Sequence, residues 1–208
     1  MLATRIAKFG LKNALMATFV AGAISFAGAA VAGEMHISSP DLSSGVFAKK
    51  FVLGAFGCTG QNVSPALEWS GIPAGTKSLA LQVHDPDAPT GSGFWHWAIY
   101  NMPPDTKGLK QGTGNALSLL PQGAIGGNTD FMDTGAIGKN GNYGGPCPPA
   151  GDAPHHYVFT LYALAVPDVV AAAGIPKTGT AALFSFVLNK GIGKGLLAKA
   201  SFTATFGR

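Results

Sequence analysis

The sequence predicts a mainly β fold with helix at the C-terminal end. Several runs rich in Val, Ile, Tyr, Phe and Trp are continuous or alternating in hydrophobicity and stop at glycine or proline turns, which is typical of strands. The best helix candidate, residues 178–190, combines helical spacing of apolar residues with a glycine stop. No repeat or linker divides the chain after its first 32 residues, so we predict a single domain over residues 33–208.

The clearest pair of strands flanks a turn rich in Pro, Gly and Ser. Residues 78–83 form an apolar run before the turn, and residues 94–100 form an aromatic and aliphatic run after it. Alternation puts four side chains on a single face: Leu79, Leu81, Val83 and Asp85. A carboxylate therefore ends an otherwise apolar row, and we predict that Asp85 points toward a pocket.

Further strands are predicted in the middle and at the end of the chain. Residues 66–69 form a short strand, residues 155–164 have strand composition, and residues 198–206 alternate small residues with Phe. Side chains alternate between the two faces of a strand, so in the strand over residues 155–164 His155 and Tyr157 lie on the same face as the apolar residues Phe159 and Leu161. A second polar pair is therefore expected where this strand begins.

The predicted helix over residues 178–190 ends before Gly191 and is followed by a weaker helical turn over residues 193–197. Its expected apolar stripe consists of Ala181, Ala182, Phe184, Val187 and Leu188. Earlier in the chain, residues 108–145 are rich in Gly and Asn and lack a sustained period, which is typical of a functional loop or an irregular surface cover. In the turn that follows, residues 144–151, we expect glycines to leave backbone N–H groups open to a ligand.

The first 32 residues have the pattern of an export signal. A basic head precedes an almost uninterrupted run of small and apolar residues, and Ala30-Val31-Ala32 supplies a cleavage pattern. We predict a signal peptide over residues 1–32, with cleavage near Ala32 and a periplasmic or secreted product. An uncleaved membrane anchor is the alternative, but Ala and Gly make the run weakly hydrophobic.

The basic character of the chain belongs largely to this leader. It contains three of the 14 Lys and Arg residues and none of the ten Asp and Glu residues, so its removal lowers the net charge from +4 to +1. A net charge of +1 gives no argument for nucleic acid or an acidic membrane as a partner.

Both cysteines lie in the predicted mature chain. An oxidising compartment outside the cytoplasm would allow Cys58 and Cys147 to pair. We predict a disulfide that closes a loop of about 90 residues and stabilises the fold by up to about 4 kcal/mol.

Four blocks, in this order and spacing, resemble the phosphatidylethanolamine-binding protein family. They are Asp85-Pro-Asp-Ala-Pro, Trp95-His-Trp, Gly145-Pro-Cys-Pro-Pro and His155-His-Tyr-Val-Phe. An upstream block from Phe56 to Trp69 looks like the bacterial branch of the family, the Raf-kinase-inhibitor-like or YbhB/YbcL type. The resemblance implies a β-sandwich with a Greek-key sheet and one or more C-terminal helices.

The resemblance also implies a small anion pocket that needs no cofactor and binds a phosphate or a phosphorylethanolamine-like head group without catalysis. The polar residues that match the family's pocket are Asp85, His96, His155 and Tyr157. The residues that match its wall are Ala88, Pro89, Gly145, Pro148 and Pro149.

These residue types suit that chemistry. Two imidazoles, a phenol and backbone N–H groups can donate to phosphate oxygens, whereas a carboxylate repels a phosphate dianion. Asp85 therefore suits a zwitterionic or monoprotonated ligand. Protonation of His96 or His155 should tighten anion binding as the pH drops through about 6.5, unless Asp85 has already fixed the charge.

Other polar and aromatic residues have simpler interpretations. Asp87 is predicted to form the turn, with its side chain bonded to nearby backbone. His84 and His156 face away from the pocket by strand alternation and are expected to be structural or exposed. Core or pocket-wall positions, rather than base-stacking platforms, are predicted for Trp69, Trp95 and Trp97.

Other function classes remain open. A metal site could be drawn from Asp85, His96 and His155, but no clustered Cys/His spacing supports it. A hydrolase with His as base lacks an identifiable nucleophile, because no serine lies in a Gly-x-Ser-x-Gly elbow. Modulation of a protein partner, such as a serine protease or a host protein, is a further class that the family resemblance offers.

Overall fold

Two antiparallel sheets pack around a shared hydrophobic core, and a second, smaller core lies behind the larger sheet. The computed structural model describes residues 34–132 and 134–208, which belong to one compact unit, Ala32–Arg208. The predicted signal peptide lies outside the described residues. Within the part of the chain that is described, no helix is long and apolar enough to cross a bilayer.

The smaller sheet has three strands in the order β1-β2-β5, and the larger has five in the order β6-β4-β3-β7-β8. The strands of the smaller sheet are β1 (His36–Ser38), β2 (Leu67–Ser70) and β5 (Gly108–Leu109). Those of the larger sheet are β3 (Ser78–Asp85), β4 (Phe94–Met102), β6 (Ile125–Gly126), β7 (His155–Leu164) and β8 (Leu196–Phe206). After a long connection β7 returns to lie beside β3, as in a Greek key. The predicted mainly β sandwich is confirmed.

The central strands of the larger sheet, β3 and β4, are buried on both faces. Leu81, Trp97 and Phe159 lie on its front face, which packs with residues of the smaller sheet in the larger of the two apolar cores. Tyr100 lies on the back face, where it stacks on Phe184 of the C-terminal helical region. Because both faces are covered, β3 is buried along almost its whole length, including its polar residues Gln82 and Asp85.

The helical region is shorter than the sequence predicts. Two α-helices, α1 (Val169–Ala173) and α2 (Ala181–Phe186), are capped by Asp168 and Thr180, whose side-chain oxygens accept from backbone N–H groups of the first turn. A π-helix, Val187–Gly191, continues α2. Helix α1 was not predicted, and Ala182 is exposed rather than part of the apolar stripe.

The remaining segments are irregular, with short 3-10 helices. These are Pro40–Leu42, Lys49–Phe51, Thr113–Asn115, Leu117–Leu119 and Gly193–Gly195. The helical turn predicted over residues 193–197 is therefore a single 3-10 turn, and β8 begins at Leu196. In residues 108–145 the described chain forms mostly loops, as expected for a Gly- and Asn-rich cover.

A β-bulge in β4 decides which way its aromatic residues point. Val83 pairs with Trp97, but the next residue of β3, His84, pairs with Trp95, so His96 is an extra residue in β4. A bulge of this kind interrupts alternation and redirects a side chain. Trp97 consequently joins the front core and Trp95 the back core, although they are two residues apart.

Candidate functional site

A cavity of about 190 Å³ opens at the end of the larger sheet, where β3 ends and where β4 and β7 begin. All nine residues predicted for the pocket line it: Asp85, Ala88, Pro89, His96, Gly145, Pro148, Pro149, His155 and Tyr157. Since β3 lies between β4 and β7 in the sheet, its terminal Asp85 has a histidine-bearing strand on each side.

The Asp85 carboxylate is almost fully buried and has several partners. Its Oδ1 atom accepts from the backbone N–H groups of Asp87 (2.9 Å) and Ala88 (3.2 Å), which closes the turn after β3. Its Oδ2 atom lies 2.7 Å from Nδ1 of His155. The carboxylate that shapes this turn is therefore Asp85, whereas Asp87 accepts from both the backbone N–H and Nδ1 of His156 at 2.7 Å.

His155 is held between two carboxylates. Its Nδ1 atom donates to Asp85, and its Nε2 atom lies 3.4 Å from Oδ2 of Asp152. Burial of the ring lowers the pKa of His155, but the hydrogen bond and negative charge of Asp85, together with Asp152 and Asp87, outweigh burial and raise it overall. The ring is thus favoured in its charged form, with both nitrogens as donors.

His96, in contrast to His155, is favoured in its neutral form. Its Nδ1 atom lies 3.0 Å from the carbonyl oxygen of Gly144, which can only accept, so Nδ1 carries the proton. Burial lowers the pKa of His96 to about 4, against a smaller opposing effect of this hydrogen bond. The neutral ring therefore offers Nε2 as an acceptor, and the expectation that His96 protonates near pH 6.5 is wrong.

Tyr157 supplies a donor to the cavity. Its side chain is 1% exposed, and its ring packs edge-on against His96 with centroids 5.0 Å apart. Among the described residues, its hydroxyl is one of the few buried polar groups that make no hydrogen bond of ordinary length. Burial, followed by the negative charge of the Asp85 carboxylate and a long, weak hydrogen bond to it, raises the pKa of Tyr157, so the hydroxyl stays protonated.

The glycine-rich wall forms by close packing, not by open donors. A Cβ atom at Gly145 would lie 2.2 Å from the carbonyl oxygen of Phe51, so no larger residue fits. The backbone N–H groups of Gly144 and Gly145 donate to His96 O and Asn62 Oδ1, and that of Gly151 donates to the carbonyl of the last residue. The expectation of glycine N–H groups open to a ligand is therefore wrong for these three.

The predicted disulfide between Cys58 and Cys147 is present, with Cα atoms 6.0 Å apart. It ties the loop that carries Phe56 to the proline wall, since Cys147 itself lines the cavity. Arg208 adds a second tie, because its Nε atom donates to the carbonyl oxygen of Pro148 at 2.7 Å. The cavity wall is thus held both covalently and by the last residue of the chain.

The phosphatidylethanolamine-binding protein family model matches residues 43–206. The chain belongs to this family. It is 40% identical to the UPF0098 protein YbcL of Escherichia coli over 167 residues, which are 77% of this chain and 82% of YbcL. It is 39% identical to the UPF0098 protein YbhB of the same organism over 173 residues, 83% of this chain and 99% of YbhB.

The crystal structure of E. coli YbcL, described as a new member of the mammalian PEBP family, has the same fold. Its TM-score is 0.71 at 37% identity, over 84% of this chain and 99% of the YbcL chain. A third relative, the putative lipoprotein LppC of Mycobacterium tuberculosis, is 42% identical over 111 residues, which are 53% of this chain and 48% of LppC.

Six further residues line the cavity of this phosphatidylethanolamine-binding protein family member and were not predicted from the sequence. They are Leu53, Phe56, Thr90, Phe94, Phe131 and Cys147. Phe94 is two residues before His96 and could have been found by alternation. Phe131 comes from the Gly- and Asn-rich cover and has no local signal, because its place depends on packing against Gly144.

The structure also decides the roles of the three tryptophans and of two further histidines. None of the three tryptophans lines the cavity, so they are core residues and not pocket wall. His84 and His156 also lie outside the cavity lining, and His84 packs on Trp95 with ring centroids 4.1 Å apart. In the described part of the chain, no group of three His, Cys, Asp or Glu residues is arranged to hold a metal ion.

Proposed function

We propose that this protein is an exported, non-catalytic binding protein whose cavity holds a phosphate or a phosphorylethanolamine-like head group. The observation that carries the proposal is the buried hydroxyl of Tyr157, a residue that lines a preformed cavity: this hydroxyl makes no hydrogen bond of ordinary length with the described residues. An unsatisfied buried hydroxyl is destabilising unless something outside the protein uses it. A ligand oxygen is the partner that the geometry suits.

The donor and acceptor pattern supports a protonated or zwitterionic ligand. Tyr157 and Nε2 of His155 can donate to ligand oxygens, whereas Nε2 of neutral His96 can only accept. An acceptor in the cavity calls for a ligand that itself carries a hydrogen, such as a P–OH or an ammonium group. A fully ionised phosphate would leave His96 without a partner.

The charge of the cavity supports the same form of ligand. Asp85 and protonated His155 compensate each other, and the described residues that line the cavity include no Lys or Arg. A dianion would therefore be buried without full compensation, which is costly. If only the monoprotonated ligand binds, we expect binding to weaken roughly 25-fold between pH 5.5 and 7.5, as the phosphate monoester loses its second proton with a pKa of about 6.

The cavity supports binding more than hydrolysis. At about 190 Å³ it is smaller than the 300–1,000 Å³ typical of drug-sized ligands, so it suits a head group more than a whole lipid. No serine is among its described lining residues, and Cys147 is locked in the disulfide. The Thr90 hydroxyl donates its proton to the carbonyl oxygen of Gly93 and not to a side chain that could act as a base.

Export is supported by the basic and apolar pattern of residues 1–32, by the disulfide, and by similarity to a relative named as a putative lipoprotein. We propose a periplasmic or secreted location after cleavage near Ala32. Intact mass of the protein recovered from the periplasm or medium tests this, and retention of residues 1–32 would contradict it.

The function is tested by titration calorimetry of phosphorylethanolamine into the purified protein at pH 6, beside Tyr157→Phe. The variant removes one hydroxyl and no apolar contact, so we expect at least about tenfold weaker binding with no loss of folding stability. Tyr162→Phe is the matched control, because Tyr162 lies in the same strand but in the back core. Absence of binding by the unmodified protein, or equal binding by Tyr157→Phe, would contradict the proposal.

A further inference from the structure

Asp152 is the carboxylate beside the cavity with the fewest partners. Its side chain is 43% exposed, and its polar contact within the described residues is the 3.4 Å approach of Oδ2 to Nε2 of His155. By contrast, Asp85 accepts from three donors and Asp87 from two. Asp152 therefore retains most of its capacity to attract a cation or repel an anion.

The contact with His155 leaves the imidazole available to a ligand. Charge-assisted N–H···O bonds are usually 2.7–2.9 Å long, as the bond from His155 to Asp85 is. The 3.4 Å approach of Asp152 is longer, so a ligand oxygen can compete for the Nε2 proton. An oxygen bound there would lie next to the Asp152 carboxylate.

The Asp152 carboxylate has opposite effects on two kinds of ligand. A phosphoryl group that carries only negative charge is repelled, and the described lining residues contain no Lys or Arg to offset the repulsion. A ligand with an ammonium group a short linker away from the phosphoryl group gains an ion pair with the same carboxylate. The buried Tyr157 hydroxyl makes no hydrogen bond of ordinary length and belongs to a residue that lines the same cavity, which provides the independent indication that a ligand oxygen binds here.

We propose that Asp152 is a specificity-determining residue that favours phosphoryl ligands bearing an ammonium group over those without one. The inference rests on the proposed function, since it requires a phosphoryl group in the cavity. It assigns the choice between ligands to an exposed residue at the edge of the cavity, whereas His96, His155 and Tyr157 contact the phosphoryl group.

The test compares two ligands that differ only in the ammonium group. Phosphorylethanolamine and ethyl phosphate are titrated at pH 6 and constant ionic strength into the full protein, Asp152→Asn and Glu68→Gln. Glu68→Gln removes the same charge from the smaller sheet, where Glu68 is exposed and does not line the cavity. A change in the ratio of the two Kd values between variants is independent of each ligand's own ionisation.

We expect Asp152→Asn to reduce the preference for phosphorylethanolamine about fivefold. Most of this change should come from tighter binding of ethyl phosphate, which is no longer repelled by the carboxylate. The effect is modest because the charge of Asp152 is partly exposed to solvent. Glu68→Gln should leave the ratio unchanged. If the unmodified protein binds both ligands and Asp152→Asn keeps the same ratio, the inference is overturned while the proposed function stands. If neither ligand binds, both are overturned.

Discussion

Replacement of Asp85 by Asn isolates the charge of the buried ion pair. An Asn Oδ1 atom can still accept from the N–H groups of Asp87 and Ala88, so the turn after β3 is kept. The variant loses the charge-assisted bond to His155, in which both side chains are no more than 5% exposed. Hydrogen bonds to charged groups stabilise by about 1.5–3 kcal/mol, so we expect unfolding free energy to fall by about 2 kcal/mol at pH 5.5.

The pH dependence of this deficit follows from His155. Since the Asp85 pair raises the folded-state pKa of His155 above its unfolded value near 6.5, its stabilisation is complete below that value and is lost as the pH rises through the folded pKa. In Asp85→Asn, the His155 ring is still buried but has lost its charged partner. Protonation of this ring is then unfavourable in the folded state, so the variant loses stability as the pH drops. The deficit should therefore be largest at pH 5.5 and small at pH 9.

Urea unfolding at pH 5.5, 7 and 9 measures the deficit, with Asp85→Ala as the comparison. Alanine also removes the two turn hydrogen bonds, which should add about 1–2 kcal/mol of destabilisation at every pH. A deficit in Asp85→Asn that is the same at all three pH values would refute the assignment of the effect to His155.

Three further predictions concern the cavity wall and its second histidine. Gly145→Ala should destabilise the fold by about 3 kcal/mol, measured by urea unfolding, because the new Cβ would clash with backbone atoms that cannot move independently. Replacement of Cys58 and Cys147 by Ala should lower the unfolding free energy by about 4 kcal/mol, since their bond spans 89 residues. In NMR titrations His96 should stay neutral from pH 5 to 8, consistent with its pKa of about 4, whereas His155 should titrate above pH 6.5.

Controls separate these effects from general damage. Gly191→Ala should be nearly neutral, because its Cβ would meet Val187 at an ordinary 3.5 Å. A comparable loss in both glycine variants would contradict the steric argument. Two reactive thiols in the non-reduced protein would rule out the disulfide, and a His96 resonance that titrates near pH 6.5 would contradict its neutral state.

Local patterns accounted for the five longest strands and for most of the cavity, but not for the two-residue strands β5 and β6. The apolar row that ends in Asp85, and the alternation that puts His155 beside Tyr157 on one face, depend only on the period of a strand. The turn residues and the family motifs then identified the nine predicted residues of the cavity. Helix α1 was missed because its five residues are too few to show a helical period.

The sequence by itself thus determined where the five longest strands form and which polar residues lie at the ends of β3 and β7, because these depend on neighbours along the chain. Only the tertiary structure decided the bulge at His96, since the mismatch between β3 and β4 exists only when the two strands pair. It also decided that Gly145 donates its N–H to Asn62, and that His96 is neutral while His155 is charged. Those properties depend on burial and on partners 48 to 83 residues away in the chain, which no local pattern records.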